Sequence, residues 1–145
     1  MYRNILVATD GSSLSGRAVE HGAGLAEELG AKLFVLTVTE RFHVFAVEAD
    51  QLEETPTSFK RQMKMAADRA LSEATAIASR VGMDPTPIHV EDDAPYAAII
   101  RTAEERRCDV IVMASHGRGG LSAFLLGSET MKVLAHSKIP VLVVR

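Results

Sequence analysis

The sequence predicts an α/β fold: an open, doubly wound parallel sheet of five strands with helices on both faces. Three observations carry that reading. Five short apolar runs alternate with four longer segments of helical periodicity, and such alternation returns each strand to the same direction through a crossover helix. The strand candidates are almost unbroken apolar runs, the pattern of strands covered on both faces. No internal repeat, low-complexity tract or linker interrupts the series, and 145 residues suit one domain, residues 1–145, with a sizeable core.

Asn4 to Ala8 is too short for a helix and reads as the first strand, ending in the turn cluster Thr9-Asp10-Gly11-Ser12-Ser13. A helix follows with Ala18, Gly22, Leu25 and Leu29 on one face and Gly30 as its stop. Lys32 to Val38 is the second strand. Thr39 to Thr57 is irregular, interrupted by Pro56, and long beside the roughly 2–6 residues usual for such a connection. Ser58 begins a long helical pattern through Phe59, Met63, Ala66, Ala70, Ala74, Ile77 and Val81, closed by Gly82; Met63 and Met65 read as core filler. Pro85 to Pro87 connects to a short strand, Ile88 to Val90. The run Glu91-Asp92-Asp93 reads as a solvated loop or helix cap. Pro95 then suits the first helical position of a segment through Ile99, Ile100 and Ala103. Pro140 to Arg145 is the last strand, with Pro140 at its first position.

Between these lies the stretch that bears on function. The fourth strand, Val110 to Ala114, ends in Ser115-His116-Gly117-Arg118-Gly119-Gly120, and nine residues separate Gly117 from Gly127. Ser128 reads as the N-cap of the last helix, with Glu129 suited to its first turn. A strand, a glycine loop and a helix N-terminus in succession make a ready anion site, because glycines admit a ligand to the backbone and the first helical amides lack acceptors. The P-loop is excluded, since the chain contains no Gly-Lys pair, and Gly-x-Gly-x-x-Gly fails at Ser122.

Composition narrows the partners. Sixteen basic and nineteen acidic residues give a net charge of -3, which argues against nucleic acid or an anionic membrane as partner. No apolar run reaches transmembrane length and no secretory pattern opens the chain, so a soluble, cytoplasmic protein is expected. Cys108 is the sole cysteine, expected to be buried and not nucleophilic. His116 has no metal-ligand spacing to His21, His43, His89 or His136, so no protein-held metal is expected. The chain has neither a Gly-x-Ser-x-Gly elbow nor a Ser/His/Asp pattern, and no catalytic residue is assigned.

The glycine stretch resembles the nucleotide motif of the universal stress protein family, Gly-x-x-Gly, nine residues, then Gly-Ser/Thr. Gly117, Arg118 to Leu126 and Gly127-Ser128 match it, while Ala114 stands in place of the first glycine. The opening Ile5-Leu-Val-Ala-Thr-Asp-Gly-Ser12 and the closing Ile139-Pro-Val-Leu-Val-Val-Arg145 are similar to that family's ends. The resemblance implies strand order 3-2-1-4-5, hence a switch point between the first and fourth strands. There Ala8, Thr9 and Asp10 would meet Met113, Ala114, His116 and Gly117, where open α/β sheets bind ligands. It further implies ATP, with Mg or Mn as a companion ion. Asp10 would lie by the adenine and ribose, Val38 at the adenine edge and Met113 beside the base. Gly117, Gly127, Ser128 and the Glu129 amide would hold the phosphates. By its own chemistry, Arg118 beside the glycine turn reads either as a phosphate contact or as a solvated surface arginine.

Three functions follow: an ATP-binding regulator of a stress response, a nucleotide-free interaction protein of the same fold, or a slow ATP-hydrolysing enzyme. The first is preferred, because the parts of fast phosphoryl transfer are missing. The last strand would lie at a sheet edge without charge or interior proline to protect it, so a homodimer through Pro140 to Arg145 is expected.

Overall fold

The computed structural model describes residues 1–43, 55–117 and 126–145. In chain order the elements are β1 (Asn4–Ala8), α1 (Ser13–Leu29), β2 (Lys32–Thr39), α2 (Pro56–Ser79), β3 (Thr86–Glu91), α3 (Pro95–Glu105), β4 (Val110–Ala114), α4 (Ser128–His136) and β5 (Val141–Val144). The five strands form one sheet in the order β3-β2-β1-β4-β5, every neighbouring pair parallel. The predicted fold class and order are both found.

Alternation along the strands divides the core into two layers. Ile5 and Val7 of β1, Val35 of β2 and Val110, Val112 and Ala114 of β4 pack with Ala18, Val19, Ala23 and Ala26 of α1 and Ala74 and Ala78 of α2. Leu6, Leu36, Ile111 and Met113 face the other way, against Ile99 and Ala103 of α3 and Val133 of α4. The α1 and α2 faces consist largely of alanines, which let helices sit close to the sheet at no side-chain entropy cost. β1 and β4 are therefore covered on both faces, as their unbroken apolar runs predict.

Several boundaries differ from expectation, each for a local reason. α2 starts two residues before Ser58, with Pro56 at its first turn. The Thr55 hydroxyl accepts from Ser58 N–H at 3.1 Å, and Ser58 Oγ in return accepts from Thr55 N–H at 3.0 Å. Pro56 is thus a helix starter and not a loop breaker. The buried stripe of α2 is Ala67, Ala70, Ala74 and Ala78, which leaves Met65 exposed instead of in the core. Leu29 is also exposed, because the buried face of α1 runs through Ala18, Val19, Gly22, Ala23 and Ala26. β3 begins at Thr86, and Pro87 is accommodated because β3 is an edge strand that can forgo a donor. Pro140 precedes β5, yet its carbonyl accepts Ile111 N–H at 2.9 Å. Of the irregular stretch predicted from Thr39 to Thr57, residues 44–54 lie outside the described residues. Phe42 packs its ring on Phe59 of α2, the centroids 5.3 Å apart.

Candidate functional site

The carboxyl ends of β1, β2 and β4 open onto a cleft of about 350 Å³ at the switch point. β1 has β2 on one side and β4 on the other, so the crossovers leave in opposite directions and the helices part there. The apolar half of the cleft is lined by Ala8, Leu36, Val38, Pro95, Ile99 and Met113. The polar half brings together Thr9, Asp10, His116, Gly117, Gly127, Ser128, Glu129 and Thr130.

The polar half is organised by the N-terminus of α4. Gly127, not Ser128, is the N-cap: its backbone is extended (φ -63°, ψ 153°) and its carbonyl accepts Met131 N–H at 3.0 Å. Ser128 is already helical, and its hydroxyl makes no capping bond. The amides of Ser128, Glu129 and Thr130 are the first-turn donors that have no acceptor within a helix. Two bonds fix their position. Gly127 N–H donates to the Ser115 carbonyl at 2.7 Å, and Thr130 Oγ1 donates to the Ala114 carbonyl at 2.9 Å. The helix start is thus riveted to the end of β4.

Both motif glycines are held by close approach. A Cβ on Gly127 would lie 3.0 Å from His116 Cα, and one on Gly117 would lie 2.5 Å from Asp10 Oδ2. Either position excludes a side chain without displacing its neighbour. Glu129 contributes differently from its amide: its carboxylate accepts Tyr96 N–H at 2.9 Å. It caps α3, whose own N-cap Ala94 has no side-chain bond, and so ties together the two helices that flank the cleft. Lys132 completes this brace, 3.3 Å from Glu129 and 5.6 Å from the centroid of the Tyr96 ring.

On the opposite wall Asp10 Oδ1 accepts Ser12 N–H at 2.9 Å, an Asx turn leading into α1, while Ser12 caps that helix through Ser15 N–H at 3.2 Å. Asp10 thus combines a turn-forming role with a place in the cleft. Ala114 borders the cleft, but its methyl belongs to the core layer beneath α1. His116 Nδ1 lies 3.2 Å from Ser115 Oγ. Eleven of the twelve residues predicted from sequence border this one cleft; the twelfth, Arg118, lies outside the described residues.

Sequence reasoning missed Ser15, Leu36, Pro95, Ile99 and Thr130. The available signal was positional: helices that follow strands β1, β3 and β4 must start beside the cleft. Their first turns therefore supply lining residues whatever their type.

Away from the cleft, the acidic run is accounted for locally. Asp92 Oδ1 accepts Ala94 N–H at 2.9 Å and its other oxygen pairs with Arg101 at 3.1 Å; these bonds hold its carboxyl below the usual range. Asp93 accepts Arg41 N–H at 3.0 Å and pairs with His43 at 2.7 Å, with the same effect. Burial, aided by the charge of Asp109, pushes the Cys108 thiol up to about 11, so it is an inert core group. Among the described residues no three His, Cys, Asp or Glu side chains gather as a metal site, and no helix is long and apolar enough to cross a membrane.

The family model described as the universal stress protein family matches residues 1–145. The chain belongs to the universal stress protein family. Universal stress protein YxiE of Bacillus subtilis is 31% identical to it over the full length of both chains. A universal stress protein of Methanocaldococcus jannaschii is 30% identical, across all of this chain and 83% of that one. Among solved structures, a universal stress protein in complex with cAMP superposes with a TM-score of 0.75 at 30% identity, covering 99% of this chain and 97% of the other.

Proposed function

We propose that the cleft binds an adenine nucleotide, ATP in particular, and that the protein works as a regulator whose signal is nucleotide occupancy. One observation carries this: apolar side chains, a carboxylate and a row of three unclaimed helix amides border the same cleft. That set of surfaces matches base, sugar and phosphate. Val38 and Met113 flank the base, Asp10 accepts from the ribose, and Gly117, Ser128 and the Glu129 amide receive phosphate oxygens, with Gly127, its own N–H bonded to the Ser115 carbonyl, lying beside them. His116 stands beside the phosphates.

The residues fit an anionic group in two further respects. The α4 N-terminus directs the positive end of its dipole at the polar half, and the bond from Gly127 N–H to the Ser115 carbonyl at 2.7 Å fixes the amides that follow it in place. ATP supplies charge and hydrogen-bond acceptors; the chain's part is to bind and orient it. A Mg or Mn ion would be carried by the phosphates, not by a cluster of protein ligands. That a relative at 30% identity is described in complex with cAMP supports the base and ribose portion of this reading.

We also propose a homodimer through β5, which pairs with β4 on one side and lies at the sheet edge. Leu142 is exposed there, as are Met131 and Leu134 of the adjacent α4.

The test is direct. Purified protein is denatured, and the extract is read by absorbance and mass spectrometry; the emptied protein is refolded and titrated with ATP by calorimetry. Adenine nucleotide in the extract, or saturable binding, supports the reading. Folded protein that neither carries nor takes up adenine nucleotide refutes it.

A further inference from the structure

Ser115 follows the last residue of β4 and is 7% exposed. Its backbone is committed on both sides: its N–H donates to the Val144 carbonyl at 2.8 Å, and its carbonyl accepts Gly127 N–H at 2.7 Å. The hydroxyl has one partner among the described residues, His116 Nδ1 at 3.2 Å. A serine hydroxyl carries a single proton, and a buried donor left without an acceptor is costly. The proton therefore goes to Nδ1, which must be the bare nitrogen of the neutral ring, and Nε2 carries the imidazole proton. Protonating the ring adds a proton at Nδ1 and leaves the one on Nε2 in place, so Nε2 is a donor in both charge states. His116 borders the cleft, and Gly127 lies against it: a Cβ there would stand 3.0 Å from His116 Cα and 3.3 Å from its Cβ. The residue is held at its backbone by Gly127 and at its ring by Ser115.

We propose that Ser115 is a positioning residue: its buried hydroxyl makes His116 a fixed hydrogen-bond donor to the phosphates and withholds the ring's lone pair from base chemistry. This rests on the adenine-nucleotide reading above and adds to it the role of the basic side chain at the phosphate end. Ionised phosphate oxygens only accept, so a ring presenting a bare nitrogen would oppose them, whereas Nε2–H matches them. The lone pair of the neutral ring lies at Nδ1, where Ser115 occupies it. A general base needs a free lone pair within hydrogen-bond reach of the proton it removes. Held this way, His116 has none to offer an attacking water. One bond from a buried serine assigns the ring to holding phosphate and not to activating water.

The experiment is heteronuclear NMR of the histidine ring nitrogens, with calorimetry of ATP and adenosine alongside, on the wild type and Ser115→Ala. His116→Gln identifies the His116 signals by their loss. On the alkaline plateau of the ring's own titration, the wild type is expected to show Nε2 protonated and Nδ1 bare. Saturating ATP should shift the Nε2 resonance, and adenosine, which lacks phosphate, should leave it unmoved. Ser115→Ala keeps the backbone bonds of the residue and should show a mixture of the two tautomers. It should bind ATP about two- to fivefold more weakly, the effect of releasing one side-chain rotor, with adenosine affinity unchanged. A merely structural role would weaken both ligands in proportion, and that result overturns the proposal. A protonated Nδ1 in the neutral wild-type ring, or ATP bound without movement of Nε2, also overturns it while leaving nucleotide binding intact. So does a Ser115→Ala protein with unaltered tautomer and ATP affinity. A wild type that binds neither ligand removes the proposal together with the reading beneath it. If Ser115→Ala does not fold, the wild-type spectra with and without ATP decide the matter alone.

Discussion

Gly127 and Ser128 stand side by side but answer to different constraints. Gly127 has an ordinary φ of -63°, so its requirement is space: a Cβ would crowd His116 and the Ser115 carbonyl at 3.0–3.4 Å. Gly127→Val should therefore lower stability by about 1–3 kcal/mol through overpacking and, by displacing His116 or the start of α4, weaken ATP. Ser128 is exposed and free of any capping duty. Ser128→Ala should leave stability within about 0.5 kcal/mol and weaken ATP by about tenfold to a hundredfold through a lost charged hydrogen bond. Denaturant unfolding and calorimetry on the pair would expose an error: unchanged affinity in both folded variants contradicts the site. Ala114 is a different case. Its methyl lies in the core layer with Val112 and Val144, on the face of β4 opposite Met113. Ala114→Gly should cost about 1–2 kcal/mol, from a lost methyl and added backbone freedom, with no gain in ATP affinity. Tighter binding by the glycine variant would show that the methyl obstructs the ligand. The glycines and Asp10 were legible in the sequence because spacing reports backbone needs. Ser15 was not, since only the turn before α1 brings it to the cleft and to the Asp10 carboxylate, 3.0 Å away.

Three helices end in a left-handed residue: Gly30 (φ 63°), Gly82 (φ 80°) and Arg107 (φ 55°). The two glycines are readable stop signals, because glycine enters this conformation without penalty. Arg107 gives no such signal, although the bonds around it are those of a regular helix stop: Cys108 N–H reaches the Ala103 carbonyl at 2.8 Å and Arg107 N–H the Glu104 carbonyl at 3.1 Å. An L side chain held in this region costs about 1–2 kcal/mol. Arg107→Gly should recover part of that, raising stability by about 0.5–1 kcal/mol in denaturant unfolding; a loss of stability would mean the side chain contributes more than the strain removes. Helix starts show the same division between legible and illegible. Pro95 and the Ser128-Glu129 pair announced their helices, although the cap of α4 is Gly127, whereas the Thr55–Ser58 capping box was hidden by reading Pro56 as a breaker. The brace from Glu129 to Tyr96 N–H was beyond sequence reading altogether, since it joins residues 33 positions apart.

At the scale of the whole molecule, parallel strands and a two-layer core follow from alternation of apolar strands with helices, while strand order, and with it the position of the cleft, needed the family resemblance. That order leaves β5 at an edge, and its geometry makes the dimer testable. The Pro140 and Val144 carbonyls face β4, so by strand alternation Val141 and Val143 turn their amides outward. Val143→Pro should remove one outward donor while sparing the β4 ladder, giving a folded monomer by light scattering where a dimer is expected of the wild type. A wild-type mass that is monomeric at micromolar concentration would rule out the dimer.

Occupancy can act as a signal only if ATP persists once bound, which sets the final expectation. The proposed cradle of amides and one hydroxyl would stabilise ground-state phosphate charge. Fast transfer also needs positive charge that strengthens in the transition state and a group that orients the attacking water. Among the described residues bordering the cleft, His116 is the sole basic side chain, set against Asp10 and Glu129, and Glu129 is committed to α3. Turnover with magnesium or manganese should therefore lie far below the roughly 1–100 s⁻¹ of kinases. Bound ATP should instead appear as stability: RT ln(1 + [L]/Kd) gives about 2.7 kcal/mol at a hundredfold excess over Kd. For a chain of this length that corresponds to a rise in Tm of about 5–10 °C. Thermal unfolding with and without ATP, run beside a steady-state phosphate assay, separates the two modes of action. A large Tm shift without turnover is the behaviour of a switch. Turnover of several per second, lost in a His116→Ala variant that still binds ATP, would make the protein an enzyme.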